Sequence, residues 1–206
     1  MKFYNREKEL ASLEKVRRVS FSVHSQMTVL TGRRRIGKTS LIFKSCEDTP
    51  TVYLFVSRSN ETDLCLRFAF EIQQALDIYV PEEISTFKSL FRYIMEAATR
   101  QSFNLVIDEF QEFYNINKSI YSDIQDIWDQ YRQKTHMNFV VSGSIYSLME
   151  KIFHNEKEPL FGRADNIIKL SAFSLNVLKK IMKDYHPQYT NDDLLALYSF
   201  SGGVPK

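Results

Sequence analysis

With 206 residues, 44% hydrophobic and 25% charged, the chain is long enough to bury a sizeable core and too apolar to be disordered along its length. Its 27 Lys and Arg against 25 Asp and Glu leave a net charge of +2, so no global field recruits nucleic acid, and a DNA partner finds no support in charge. No apolar run approaches the ~20 residues of a membrane helix, and the opening MKFYNREKEL is too charged for a signal peptide, so a cytoplasmic location without membrane contact is expected.

Residues 6–19 place Leu10, Leu13, Val16 and Val19 on one helical stripe. Residues 27–31 (MTVLT) read as a strand that enters the stretch GRRRIGKTS, and residues 39–46 as the helix that leaves it. Cys46 and Cys65 lack CxxC spacing and are expected as buried, reduced thiols. A second strand is expected over 51–56 (TVYLFV), then helices over about 63–76 and 86–100, and a third strand over 103–107 (FNLVI) that ends in Asp108 and Glu109. A helix over about 119–134 carries Trp128 on its apolar face. The fourth strand, 138–141 (NFVV), runs into Ser142-Gly143-Ser144; the fifth, 166–170 (NIIKL), precedes a helical tail. Strands alternating with helices predict an α/β fold in three layers, a five-stranded, mostly parallel sheet covered on both faces.

Residues 32–40 fit G-x-x-x-x-G-K-[ST], which makes Gly32, Arg33, Arg34, Arg35, Ile36, Gly37, Lys38, Thr39 and Ser40 the candidate nucleotide-binding segment. Its position between a strand and a helix adds the free N–H groups and partial positive charge of the helix N-terminus to the same point. Lys38 then reaches the β- and γ-phosphates, and the Thr39 hydroxyl ligates Mg²⁺. An apolar strand ending in a carboxylate puts Asp108 at the carboxyl edge of the sheet, where it serves the metal, with Glu109 next to it as the group that orients or deprotonates water. Ser142 and Ser144 bring hydroxyls to the same edge, either as sensors of the γ-phosphate or lytic water or as a strand-ending turn. The three arginines of the loop read first as a solvated charge run and second as contacts to phosphate or an acidic partner. Asn117-Lys118 lacks the aspartate of a guanine-reading element, so ATP is the expected nucleotide. His24, His136, His154 and His186 have no metal-ligand spacing.

In this order, FYNREKEL, GRRRIGKTSL, LVIDEFQ, VVSGSIYSLM, PLFGRA and SGGVPK resemble the archaeal-type ATPase family of P-loop proteins, a branch of the STAND and AAA-like NTPases. The resemblance covers nearly the whole chain and implies a Walker A loop at 32–40, a Walker B carboxylate at Asp108, and the strand order 5-1-4-3-2. It also implies Asn5 and Arg6 near the base, Arg163 as an arginine at the phosphates, and Pro205 in a lid turn that touches the nucleotide. Residues 1–170 are then an NTPase core and 171–206 the start of a helical lid. Family members usually continue into a C-terminal effector domain, whereas this sequence stops at Lys206, so weakened turnover is expected. The readings are a Mg²⁺-dependent ATPase binding ATP and ADP, a nucleotide-gated switch that works through a homo-oligomer or protein partner, and a DNA-processing ATPase, the last on family association alone.

Overall fold

Strands buried on both faces read as nearly continuous apolar runs, and β3 (Phe103–Asp108) and β4 (Met137–Gly143) are buried at every position. They form the middle of a five-stranded sheet, with β1 (Gln26–Thr31) beside β4, β2 (Thr51–Phe55) at one edge and β5 (Asn166–Lys169) at the other. Every pairing is parallel. The order β2-β3-β4-β1-β5, read from the other edge, is 5-1-4-3-2. The computed structural model describes residues 3–205; Lys206 lies outside them.

The two faces are packed by different helices. Met27, Val29, Leu105, Ile107, Phe139 and Val141 point into the larger core, against α3 (Glu61–Leu76), α4 (Phe87–Ala97), α6 (Ser119–Tyr131) and α7 (Tyr146–His154). Leu30, Val106, Val140 and Ile168 point the other way, against Leu13 of α1 (Glu7–Ser22) and Leu41 and Ile42 of α2 (Lys38–Ser45). Because side chains alternate along a strand and Val106 is in register with both Tyr53 and Val140, Tyr53, Asp108 and Ser142 all project from the face that α2 covers.

Helix starts follow local chemistry. Asn60 caps α3 by accepting from the Asp63 amide, and Thr86 caps α4 by accepting from the Ser89 amide. The helix expected to reach residue 134 ends at Tyr131 and closes in one 3-10 turn, Arg132–Lys134. Periodicity alone does not mark α7, or α5 (Phe113–Ile116), which follows a 3-10 turn at Phe110–Glu112. The helical tail is a pair, α8 (Leu175–Tyr185) and α9 (Asn191–Ser201), the second opened by a capping box between Thr190 and Asp193. Trp128 is fully buried against the Phe139 ring. Cys46 and Cys65 are buried and unpaired with each other, and burial pushes the Cys65 thiol up to about 12, which makes it unreactive. Among the described residues no helix is long and apolar enough to cross a membrane.

Candidate functional site: a phosphate loop, a carboxylate and an apolar cleft

Gly37 caps α2 at φ 93°, in the left-handed region that favours glycine, and so turns the loop directly into the helix. The first-turn amides of such a helix have no intrahelical acceptor. Lys38 is buried and folds back over the loop, donating to the carbonyls of Gly32 (2.9 Å) and Arg33 (3.3 Å). Burial pulls its pKa down, the nearby charges of Glu109 and Asp108 push it back up, and the Arg34 guanidinium lowers it again. Arg33, Arg34 and Arg35 are exposed at the crest of the loop, with Arg35 at φ 63°. Ile36 is buried and anchors the loop in the smaller core.

The loop and the third strand meet at Asp108. Its Oδ2 accepts from the Thr39 hydroxyl at 3.1 Å and from the Tyr53 hydroxyl at 2.7 Å. Its Oδ1 accepts from the Ser142 hydroxyl at 2.6 Å and from the Glu109 amide at 2.9 Å. A carboxylate held by four donors is fixed in orientation. Glu109 follows at φ 54°, and its Oε2 accepts from Gln111 Nε2 (2.5 Å) and Ser144 Oγ (2.7 Å). Tyr53 and Gln111 are absent from the sequence reading; Gln111 stands two residues from Glu109 and is buried, whereas nothing local in TVYLFV singles out Tyr53. Burial, followed by the hydrogen bond to Asp108, raises the Tyr53 pKa, so the phenol keeps its proton.

These atoms are hard oxygen donors converging beside a phosphate loop, which suits magnesium. Among the described residues no group of three or more His, Cys, Asp or Glu could hold a metal, and a magnesium ion bound through one carboxylate, one hydroxyl, phosphate oxygens and water needs none.

An apolar cleft of about 650 Å³ opens beside the loop, between the opening segment, the end of the phosphate loop and the α8–α9 pair. Phe173, Leu178, Ile181, Tyr185 and Pro205 are among its walls, and Ser40 and Gly37 form its floor. Pro205 sits 3.7 Å from where a Cβ on Gly37 would stand, so the turn after α9 touches the loop. The opening segment is fastened to both sides of the cleft. Tyr4 donates to Asp184 of α8 (2.8 Å), while Arg6 donates to the carbonyls of Ser171 (2.8 Å) and Ile36 (3.4 Å) and lies over the Phe173 ring. Arg6 therefore borders the cleft with its guanidinium committed to the protein; Asn5, at φ 50°, is exposed next to it.

One expected residue is elsewhere. Arg163 precedes β5, and two residues on the Asp165 amide bonds the carbonyl of Met27 at the start of β1, the edge opposite the phosphate loop. There its guanidinium pairs with Asp129 of α6 at 2.6 Å. Within one chain it does not reach the phosphates, because parallel strands put their two ends on opposite edges of the sheet.

The sequence pattern of an ATPase domain found predominantly in Archaea matches residues 3–206. The chain belongs to this family. It is similar over 204 residues, at 28% identity, to an uncharacterized protein of Methanocaldococcus jannaschii. That match covers 98% of this chain and 42% of the relative. Among solved structures, the Walker-type ATPase of Pyrococcus abyssi shares the fold at a TM-score of 0.72 and 18% identity, covering 98% of this chain and 65% of that one. The ORC2 protein of Aeropyrum pernix, solved in ADPNP–ADP complexes, does so at 0.67 and 13%, covering 88% and 51%. A STAND protein with a tetratricopeptide repeat sensor from Pyrococcus horikoshii gives 0.61 and 17%, covering 98% and 28%. The chain thus spans less than two thirds of each of these proteins.

Gly203 fixes the last turn of the cleft wall. It lies at φ 73°, its carbonyl accepts from the Phe173 amide (2.8 Å), and an added Cβ would stand 2.5 Å from the Phe173 carbonyl oxygen. Gly203→Ala should loosen this turn: a left-handed alanine costs ~1–2 kcal/mol, an increase of about 5–30-fold in the opening equilibrium. Hydrogen exchange at the Phe173 amide checks this, and is expected to speed up by that factor while amides of β3 are unchanged.

Proposed function

We propose that this domain binds ATP with magnesium and hydrolyses it, with residues 1–170 as the catalytic core and 171–206 as part of a lid over the base. The observation that carries the proposal is the meeting of Thr39 and Asp108, 69 residues apart, at 3.1 Å beside a buried lysine. In this reading Lys38 and the loop amides hold the phosphates, and Thr39 and Asp108 hold the metal. Bound magnesium would neutralise charge on the transferring phosphoryl group. Glu109 orients the attacking water and takes its proton, Ser142 fixes the Asp108 carboxylate, and Ser144 fixes that of Glu109. The apolar cleft takes the adenine between the Tyr4–Arg6 segment and Phe173, with Pro205 closing the side toward the loop.

A second reading, a nucleotide-gated switch with slow turnover, is favoured by Glu109 itself. Gln111 and Ser144 both donate to its Oε2, which ties the carboxylate to two segments of the protein, so a movement of either donor changes where the base points. A partner or a second copy of the chain would then set the rate. No feature of the site favours a DNA-processing role over these two.

Calorimetric titration of the protein with ATP and with GTP, each with and without Mg²⁺, tests the proposal, with phosphate release followed on the same samples. ATP is expected to bind more tightly than GTP, and more tightly with Mg²⁺ than without. Binding without phosphate release would leave the switch reading in place of the hydrolase; no binding of either nucleotide would defeat both.

A further inference from the structure

We infer that Tyr53 is a positioning residue for the metal-bearing carboxylate, holding Asp108 Oδ2 in place when the Thr39 oxygen is given to the ion; the inference rests on the proposed Mg²⁺-nucleotide site. Asp108 is gripped from both neighbouring strands. On the β4 side Ser142 donates to Oδ1, which also takes the Glu109 amide. On the β2 side Tyr53 donates to Oδ2 at 2.7 Å, a shorter contact than the 3.1 Å from Thr39. A carboxylate only accepts, so the phenol must be the donor.

The distinction between the two donors on Oδ2 is what gives Tyr53 its role. Thr39 is itself a metal ligand in the proposed site, so its hydroxyl geometry is set by the ion. Tyr53 is then the contact to Oδ2 whose geometry the protein alone dictates. Its ring is braced for that task, since Phe43 of α2 packs against it with centroids 5.0 Å apart. The hydroxyl is thereby tied to the same helix that carries Lys38 and Thr39. Groups that orient a metal ligand in this way usually matter by 10–100-fold in metal affinity, although they never touch the ion.

Tyr53→Phe removes the hydroxyl and keeps the ring against Phe43, and Asp108 keeps its three other donors, so the fold is retained. The experiment measures binding of a fluorescent ADP analogue to native chain and Tyr53→Phe, first without metal and then across a Mg²⁺ titration. The expected result is a half-saturating Mg²⁺ concentration raised about tenfold or more in the variant, with metal-free ADP affinity within twofold of native. A midpoint within threefold of the native one overturns the inference, and so does a parallel fall in metal-free and metal-dependent binding, which would mark a purely structural tyrosine. Failure of the native chain to bind the analogue at all would defeat the nucleotide site itself, a result distinct from either.

Discussion

Glu109→Gln is expected to bind ATP as the native chain does and to release phosphate about 10²–10⁴-fold more slowly, the usual range for loss of a general base. Binding survives for a structural reason. Glutamine keeps an oxygen where Glu109 Oε2 accepts from Ser144 and Gln111, so neither donor is stranded and the left-handed turn at residue 109 is not reshaped. What disappears is the ability to take a proton from water. Single-turnover phosphate release with saturating Mg²⁺-ATP reads the chemical step directly. A variant that turns over within threefold of native would remove Glu109 from the mechanism and return the strand-ending Asp-Glu pair to metal binding alone.

Lys38→Ala should weaken ATP binding by about 100-fold or more, from the loss of one or two hydrogen bonds to charged phosphate at ~1.5–3 kcal/mol each. The lysine is already inside the loop, fastened to the carbonyls of Gly32 and Arg33. Alanine therefore leaves two carbonyls facing one another and an excess of negative charge from Asp108 and Glu109 beside the phosphates. Calorimetry with Mg²⁺-ATP measures the loss, and the unfolding midpoint without nucleotide separates it from damage to the loop. Affinity within tenfold of native would mean that the exposed arginines of the loop, Arg34 first among them, hold the phosphates instead.

The phosphate loop is legible in the sequence because its chemistry constrains contiguous residues: Gly37 for left-handed backbone, Gly32 where a Cβ would crowd Ile36 and Leu170, and a lysine and a hydroxyl at fixed spacing. The strand that carries Asp108 is legible for a similar reason, since a strand buried on both faces leaves a continuous apolar run ending in a charge. Tyr53 is different. In TVYLF neither face carries a charge or a pattern that singles out Tyr53, and only the register Tyr53↔Val106 puts the phenol on the face of Asp108. Register is a property of two strands and cannot be read from one. Helix α7 is short, its buried stripe being Met149, Ile152 and Phe153, and Ser142-Gly143-Ser144 before it has the composition of a turn. Arg163 differs for a third reason: its place in the chain is compatible with a phosphate contact, but Asp129 on α6 holds it at the edge of the sheet away from its own chain's loop. The apolar walls of the cleft leave no mark in the sequence either, because residues such as Phe173 and Leu178 that face an open space have the same composition and spacing as residues that face a core.

The cleft is assembled from segments far apart along the chain, with Tyr4 and Asp184 separated by 180 positions. During synthesis the two halves of the site therefore mature at different times. Once β4 and Ser144 have emerged from the ribosome, the phosphate cradle has every side chain it needs, yet the wall that Phe173, Leu178 and Pro205 contribute does not exist. In the proposed site, a nascent chain at that stage would offer a place for phosphate but none for a base. Selectivity for a base in that proposed site would arrive only when the turn at Gly203 closes on Phe173, after the phosphate cradle is complete.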